Sequence, residues 1–410
     1  MAEYTLLNGI VVNSSRKVST GFISVEREKV SGNKKGTIVD LDGASVVYPA
    51  LINTHDHMRG NYLPRVGPKP GNFYLNWLPW DNDLKASDTY RERSNLSIED
   101  IYTFSSYKNL FSGVTTVNDH FPQALNKDIL PKLPIRAITN YGLAHEVSSY
   151  DLKWGDGVEV EHKRAVKNKW PFITHLAEGF DEESMNGVEK LEKMGILDKH
   201  GLFIHCIGFS DEDIQKTAKA GASISWCAAS NMFMFNTTCK IRKFLEAGVN
   251  VTIGTDSAHT GSFNLFEEIH YDRALYRQLY EEDLPAKTIF KMVTENAARA
   301  FWLQKDLGTL EEGKSADILL LKSKNEDPFE NFAGANMEDI ELLTIAGKPV
   351  FGEMRFIDLL GGSVPEGYSQ INVGGRSMFI IGDPAKLYIE ARRKIGFKKV
   401  LDFLPFEPEE

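Results

Sequence analysis

Cysteine is scarce. Three residues in 410 (Cys206, Cys227 and Cys239) make no disulfide framework, and their spacing matches no zinc knuckle. They read as small hydrophobic residues in a reducing cytoplasm. The chain also lacks any apolar run long enough to cross a bilayer. Its start, Met1-Ala2-Glu3-Tyr4, lacks the basic and then apolar segments of a signal peptide. No basic cluster offsets the net charge of -10, so neither nucleic acid nor a membrane surface is expected as a partner. Repeats and low-complexity tracts are absent. What remains has the composition of a soluble globular protein, 42% apolar and 25% charged. Its length suits a large enzyme domain with an appended module.

The stretch that organises the chain is Ala50-Leu51-Ile52-Asn53-Thr54-His55-Asp56-His57-Met58. A short apolar run, readable as a buried strand, ends in two histidines one residue apart. Alternate residues of a strand leave the same face, so His55 and His57 can point into one pocket. Two converging imidazoles make half a tetrahedral site for a borderline metal such as zinc. Alone, a His-x-His is a weak signal.

Around it the chain divides. Residues 5 to 50 read as short strands separated by turns: 6–12, 21–25, 37–41 and 45–48. An irregular loop over 58–88 carries Tyr62, Phe73, Tyr74, Trp77 and Trp80, as a lid or as a self-anchored loop. From Ser97 onward helical and strand patterns alternate. Helices are expected at 98–112, 158–169, 182–194, 211–220 and 241–247. Strands are expected at 114–117, 135–143, 172–174, 202–204, 222–226 and 249–253. Repeated β-then-α order implies a parallel sheet with right-handed crossovers. The span, about 250 residues, is that of a (β/α)8 barrel. Residues 307–352 return to strand and turn, so the expected domains are a β-sandwich from 1–50 and 307–352, a barrel over 51–306, and an extension over 353–410. Within that extension a helix is expected at 384–395, and an acidic tail, Glu407 to Glu410, should fray.

The grammar of the first strand recurs. Phe172-Ile173-Thr174 runs into His175-Leu176-Ala177-Glu178, Leu202-Phe203-Ile204 into His205, and Val251-Thr252-Ile253-Gly254-Thr255 into Asp256. Polar residues at the C-terminal ends of barrel strands meet at one mouth, where such enzymes keep their active sites. Each has an ordinary alternative, a buried imidazole bonded to a carbonyl or a helix cap. Four such ends, in this order, argue against coincidence.

These motifs resemble the amidohydrolase superfamily, in its cytosine, guanine and S-adenosylhomocysteine deaminase and triazine hydrolase branch. The resemblance spans residues 5 to 350. It adds Ser262-Phe263-Asn264-Leu265-Phe266-Glu267, Thr294-Glu295-Asn296-Ala297-Ala298-Arg299-Ala300 and Gly313-Lys314-Ser315-Ala316-Asp317-Ile318. It implies a TIM-like barrel with a small β-sandwich domain, and one divalent ion, zinc with iron as the alternative, on His55, His57, His175 and Asp256. Such an ion draws the pKa of a bound water toward neutrality. By the same resemblance Glu178 shuttles a proton to a ring nitrogen and then to the leaving group. His205 orients the water and Asp256 accepts its proton. No lysine stands at a strand-4 end to bridge a second metal.

His120, His145, Trp77 and Trp80 are the candidate substrate contacts. The expected reaction is deamination of a small nitrogen heterocycle of purine, pyrimidine, pterin or triazine type. The alternatives are hydrolysis of a cyclic amide or another leaving group and, in a different class, an inactive scaffold barrel. Dimers are frequent in this branch, which makes a homodimer an expectation. Departures from its pattern are Ala228 in Cys227-Ala228-Ala229-Ser230-Asn231, Ala50 after Pro49, and a short interval between Leu143 and His175. That interval, about 30 residues, has little room for a full strand 4 with its helices. It leaves strand 4 to 144–149, to 157–160, or to an irregular barrel.

Overall fold

The computed structural model describes residues 3–407. Met1, Ala2 and the tail residues 408–410, most of the segment expected to fray, lie outside the described residues.

Both chain ends contribute to one ten-stranded sheet. From the start come Glu3–Ser14, Lys17–Glu26, Lys29–Ser31, Thr37–Asp40 and Ser45–Pro49; from the end come Ile318–Lys322, Ile340–Ile345, Lys348–Glu353, Tyr368–Val373 and Arg376–Ile381. The two halves meet where Ser45–Pro49 pairs antiparallel with Ile318–Lys322, with Val47 opposite Leu320. Both are fully buried, so the seam rests on apolar cross-strand packing. Past this seam the Ala50 amide donates to the Asp317 carbonyl at 2.9 Å, and the Leu51 amide to that of Gly113 at 2.9 Å. The sheet thereby hands the chain into the strand that carries the first histidines.

The remaining strands are all parallel to their neighbours: β1 (Leu51–Asp56), β2 (Val114–Asp119), β3 (Arg136–Ile138), β4 (Gly142–Glu146), β5 (Phe172–Leu176), β6 (Gly201–His205), β7 (Ser223–Trp226) and β8 (Asn250–Ile253). They form a three-stranded sheet, β1-β2-β3, and a five-stranded one, β8-β7-β6-β5-β4. The sheets touch at an isolated parallel bridge between Asp56 and Asp256, where the Asp256 amide donates to the His55 carbonyl at 3.0 Å. Between most strands run the expected helices, among them Ile98–Leu110, Val158–Asn168 and Asp211–Ala220. The result is an α/β fold with parallel strands whose polar C-terminal ends gather on one side. Among the described residues no helix is long and apolar enough to cross a membrane, and all three cysteines are buried and unpaired.

Three expectations change. The single strand expected over 135–143 is two strands, β3 and β4, interrupted at 139–141. β3 pairs with β2 and β4 with β5, so the chain changes sheets there with no helix between. Strand 4 is therefore Gly142–Glu146, near the first of the intervals left open, and 158–168 is helix. The helix expected over 182–194 is two short ones, Glu182–Met185 and Gly187–Lys193. The loop over 58–88 contains a helix, Trp77–Ala86, followed by Asp88–Arg93. Asn76 caps the first by accepting from the Leu78 amide at 3.1 Å. Pro79 lies in its first turn, where the missing N–H has no helical partner to lose; in sequence it reads as a loop signal.

Candidate active site

Four strand ends build the floor. His55 and His57 leave β1 on one face; Asp56 between them points the other way, as the pleat requires. On that hidden side Asp56 pairs with Lys108 at 3.2 Å, both side chains fully buried. Lys108 also donates to Asn61 Oδ1 at 2.8 Å and Thr255 Oγ1 at 3.0 Å, and Asn109 donates to Asp56 at 3.0 Å. A buried ion pair stands only when its remaining hydrogen-bonding capacity is met, and here this network ties β1 to the turn after β8.

Gly254 sets the approach of the two strands. A Cβ there would lie 2.6 Å from the His55 Cβ and 2.8 Å from the Ser225 Oγ, so only glycine lets the β8 end pass this close. His205 and Asp256 hold left-handed backbone, with φ of 69° and 52°. This conformation costs a non-glycine residue of order 1–3 kcal/mol and concentrates at functional sites.

The tautomers follow from the hydrogen bonds. A carbonyl can only accept, so the 2.7 Å contact of His57 Nδ1 with the His120 carbonyl puts the hydrogen on Nδ1 and leaves Nε2 bare. His205 Nδ1 donates to Asn231 Oδ1 at 2.8 Å, which likewise leaves its Nε2 bare. Asp256 Oδ2 accepts from Ser230 Oγ at 2.6 Å and from Thr260 Oγ1 at 3.1 Å. Its Oδ1 stands 3.7 Å from His55 Nε2 and 3.5 Å from His57 Nε2. His55 and His175 are buried with no hydrogen bond on either ring nitrogen. Buried imidazole nitrogens seldom go unpaired; a cluster of them fits a cation.

Among the described residues the groups able to hold a metal are His55, His57, His120 and His175, and the overlapping set His175, Glu178 and His205. Within each set the ligand atoms lie no more than 4.8 Å apart. Burial holds the imidazoles of His55, His120, His175 and His205 below their ordinary pKa, His55 at about 3, and a neutral ring is the form that ligates. Glu178 Oε1 lies 3.6 Å from His205 Nε2. Burial, then the charges of Asp256 and Glu146, push its carboxyl well above the usual range.

Above the floor opens a cavity of about 240 Å³. His57, His175, Glu178, His205 and Asp256 line its base; His145, Trp77, Trp80, Trp154 and Phe121 form aromatic walls. Trp77 Nε1 donates to Glu146 at 2.7 Å and Trp80 Nε1 to the Val66 carbonyl at 2.9 Å, so both indoles are fixed. The structure thus brings all ten residues singled out in the sequence together, eight lining this cavity and His55 and His120 directly behind it. His120, expected to touch substrate, does not line the cavity. Its ring is fully buried, 4.4 Å from that of His175, with Nε2 donating to the Ala144 carbonyl at 3.0 Å.

Sequence reasoning missed Arg59, Arg93, Trp154 and Lys108. The first three stand on loops or at a helix end, where no periodicity marks them, and Lys108 reads as an ordinary helix residue. Ser230 and Asn231 were signalled by the Cys227-to-Asn231 motif, without a role attached.

Residues 165–350 match the amidohydrolase family. The chain is 31% identical to the 5'-deoxyadenosine deaminase of Methanothermobacter thermautotrophicus, over 87% of this chain and 95% of that protein. It is 28% identical to the 5-methylthioadenosine/S-adenosylhomocysteine deaminase of Caldanaerobacter subterraneus, over 67% and 72%. Among solved structures, the atrazine chlorohydrolase TrzN from Arthrobacter aurescens, complexed with zinc, superposes with a TM-score of 0.68 at 18% identity, covering 85% of this chain and 95% of that one. With this likeness over nearly the whole length and histidines at the strand ends where the sequence places them, the chain belongs to the amidohydrolase family.

Proposed function

We propose that this protein is a metal-dependent aminohydrolase that replaces the amino group of a small nitrogen heterocycle with oxygen. The observation that carries it is the floor itself: unpaired buried imidazoles around Asp256, with a carboxyl raised in pKa at Glu178 3.6 Å from His205. His55, His57, His175 and Asp256 would hold one divalent ion, zinc in this reading. When bound, such an ion supplies Lewis acidity that lowers a water's pKa from about 15.7 toward 7.

The chain's own groups handle protons and position. His205 Nε2, bare of hydrogen, accepts a hydrogen bond from the attacking water. Glu178 gives its proton to a ring nitrogen as the water oxygen bonds to the amino-bearing carbon. Asp256 takes one proton from that water; Glu178, now a carboxylate, takes the other from the carbon-bound hydroxyl and carries it to the departing nitrogen, after which Asp256 returns its proton to Glu178. The C–N bond breaks, ammonia leaves, and the ring carbon ends as a carbonyl. Trp77, Trp80 and His145 would bound the ring. His120 would support His57 through its carbonyl rather than touch substrate.

The deaminases among the relatives support this class; nothing supports an inactive scaffold. We further propose that the eight parallel strands close into one barrel, irregular where β3 meets β4. Residues 1–50 and 307–352 would form the small β domain beside a barrel over 51–306; of the extension expected over 353–410, the strands Tyr368–Val373 and Arg376–Ile381 join that same sheet, so only the remainder stands outside it. A screen for ammonia release from aminated purines, pyrimidines, pterins and triazines tests the function. Turnover of such a ring, strongly reduced in Glu178→Gln, is the expected result. Activity confined to lactams would overturn the deaminase reading.

A further inference from the structure

The protein is acidic overall, yet the wall of its cavity is not. Above the floor the charged lining residues are Arg59, Lys85 and Arg93 against a single carboxylate, Asp81. Lys85 already pairs with Asp81, which leaves two guanidiniums uncompensated. Neither Arg59 nor Arg93 has a carboxylate within ion-pair distance among the described residues, whereas Arg136, Arg273 and Arg376 each have one.

Arg59 sits two residues past His57 in the turn Met58–Gly60, its guanidinium 5.3 Å from the centre of the Phe121 ring. Arg93 ends the helix Asp88–Arg93 and donates to the Arg59 carbonyl at 3.2 Å and to His259 Nε2 at 2.9 Å. Those bonds fix Arg93 beside Arg59 without neutralising either charge. Each guanidinium lies against an aromatic ring, Arg93 4.6 Å from the centre of Tyr90, and two like charges facing one cavity without a carboxylate partner favour an anion there. The planar fork of arginine suits a carboxylate or a phosphate.

We infer that the ring deaminated here carries an oxyanion, a carboxylate, which Arg59 and Arg93 bind at the cavity mouth while the amino-bearing carbon faces the floor. This rests on the aminohydrolase reading above. The carboxylate is favoured over phosphate by size. The cavity, about 240 Å³, falls below the roughly 300–1,000 Å³ usual for drug-sized ligands. It suits one or two fused rings with a small acid better than a phosphorylated nucleoside.

The test compares an aminated, carboxylate-bearing heterocycle with its neutral carboxamide and its phosphonate, using zinc-loaded enzyme. The carboxylate should be preferred over the carboxamide by on the order of tenfold or more in kcat/KM, chiefly through KM. That ratio should collapse toward one in Arg59→Gln and in Arg93→Gln, with Arg93→Lys retaining part of it. Should a variant fail to fold, the wild type answers alone. Its KM for the carboxylate should rise as salt shortens the screening length from roughly 30 to 8 Å, with no matching rise for the carboxamide. Equal or poorer use of the carboxylate would overturn the inference, and preference for the phosphonate would overturn the carboxylate assignment. If no ring releases ammonia, the aminohydrolase reading fails separately. Calorimetric titration with the keto forms then decides: tighter binding of the carboxylate sustains the anion site, and equal binding removes it.

Discussion

The floor and the rim of this cavity are built by different means. Floor residues stand at the ends of β1, β5 and β6 and just past β8, nearly all fully buried. Their ring tautomers are dictated by neighbours such as Asn231 and the His120 carbonyl. Rim residues such as Arg59, Trp80, Arg93, Phe121 and Trp154 come from loops and short helices and are half exposed. Parallel strands hold reacting groups to fractions of an ångström, while loops change sequence without disturbing the core. The proposed function assigns chemistry to the floor and substrate choice to the rim, so substitutions in the two places should fail differently.

The largest loss should come from the floor. Glu178→Gln keeps the shape and removes the titrating proton, and kcat should fall by about a thousandfold, within the usual range for a general acid-base group. Bound metal should stay unchanged by elemental analysis. A variant retaining more than a tenth of wild-type kcat would take Glu178 out of the mechanism. Beneath the floor, Lys108→Met strips Asp56 of its buried partner, and stability by urea titration should drop by about 3–5 kcal/mol. The double variant Asp56→Asn with Lys108→Met should recover part of it. Parity with wild type in the single variant would mean that the pair contributes nothing.

Asn231→Ala frees His205 Nδ1 from its acceptor, and kcat should fall by about 10- to 100-fold, as when groups behind a ligand are lost. No change would show that the His205 tautomer is set elsewhere. The smallest effect should come from the rim. Trp154→Ala removes an aromatic wall and should raise KM by roughly tenfold, the scale of one aromatic contact, with kcat nearly kept. A collapse of kcat instead would erase the division between floor and rim.

The same division governs how much could be read in the sequence. His55, His57, His175, His205 and Asp256 were legible because each follows a short apolar strand, a local pattern. The helix Trp77–Ala86 was not, since Pro79 carries a loop signal that its place in the first turn cancels. The break between β3 and β4 was visible only as a shortage of residues before His175, because the change of partner strand across Thr139-Asn140-Tyr141 exists only in the folded chain. Arg59 and Arg93 acquire meaning only through the absence of nearby carboxylates, which is a property of the folded chain. Lys108 is similar: it sits in Ile98–Leu110 like any polar helix residue, and only packing against β1 reveals its partner.

The central claim is that His55, His57, His175 and Asp256 share one cation. Metal analysis of the purified wild type beside His175→Ala, with both confirmed folded by circular dichroism, addresses it directly. One equivalent of divalent metal per chain in the wild type, lost together with activity in the variant, is the predicted result. A metal-free wild type with full activity, or a His175→Ala protein that keeps its ion, would contradict it.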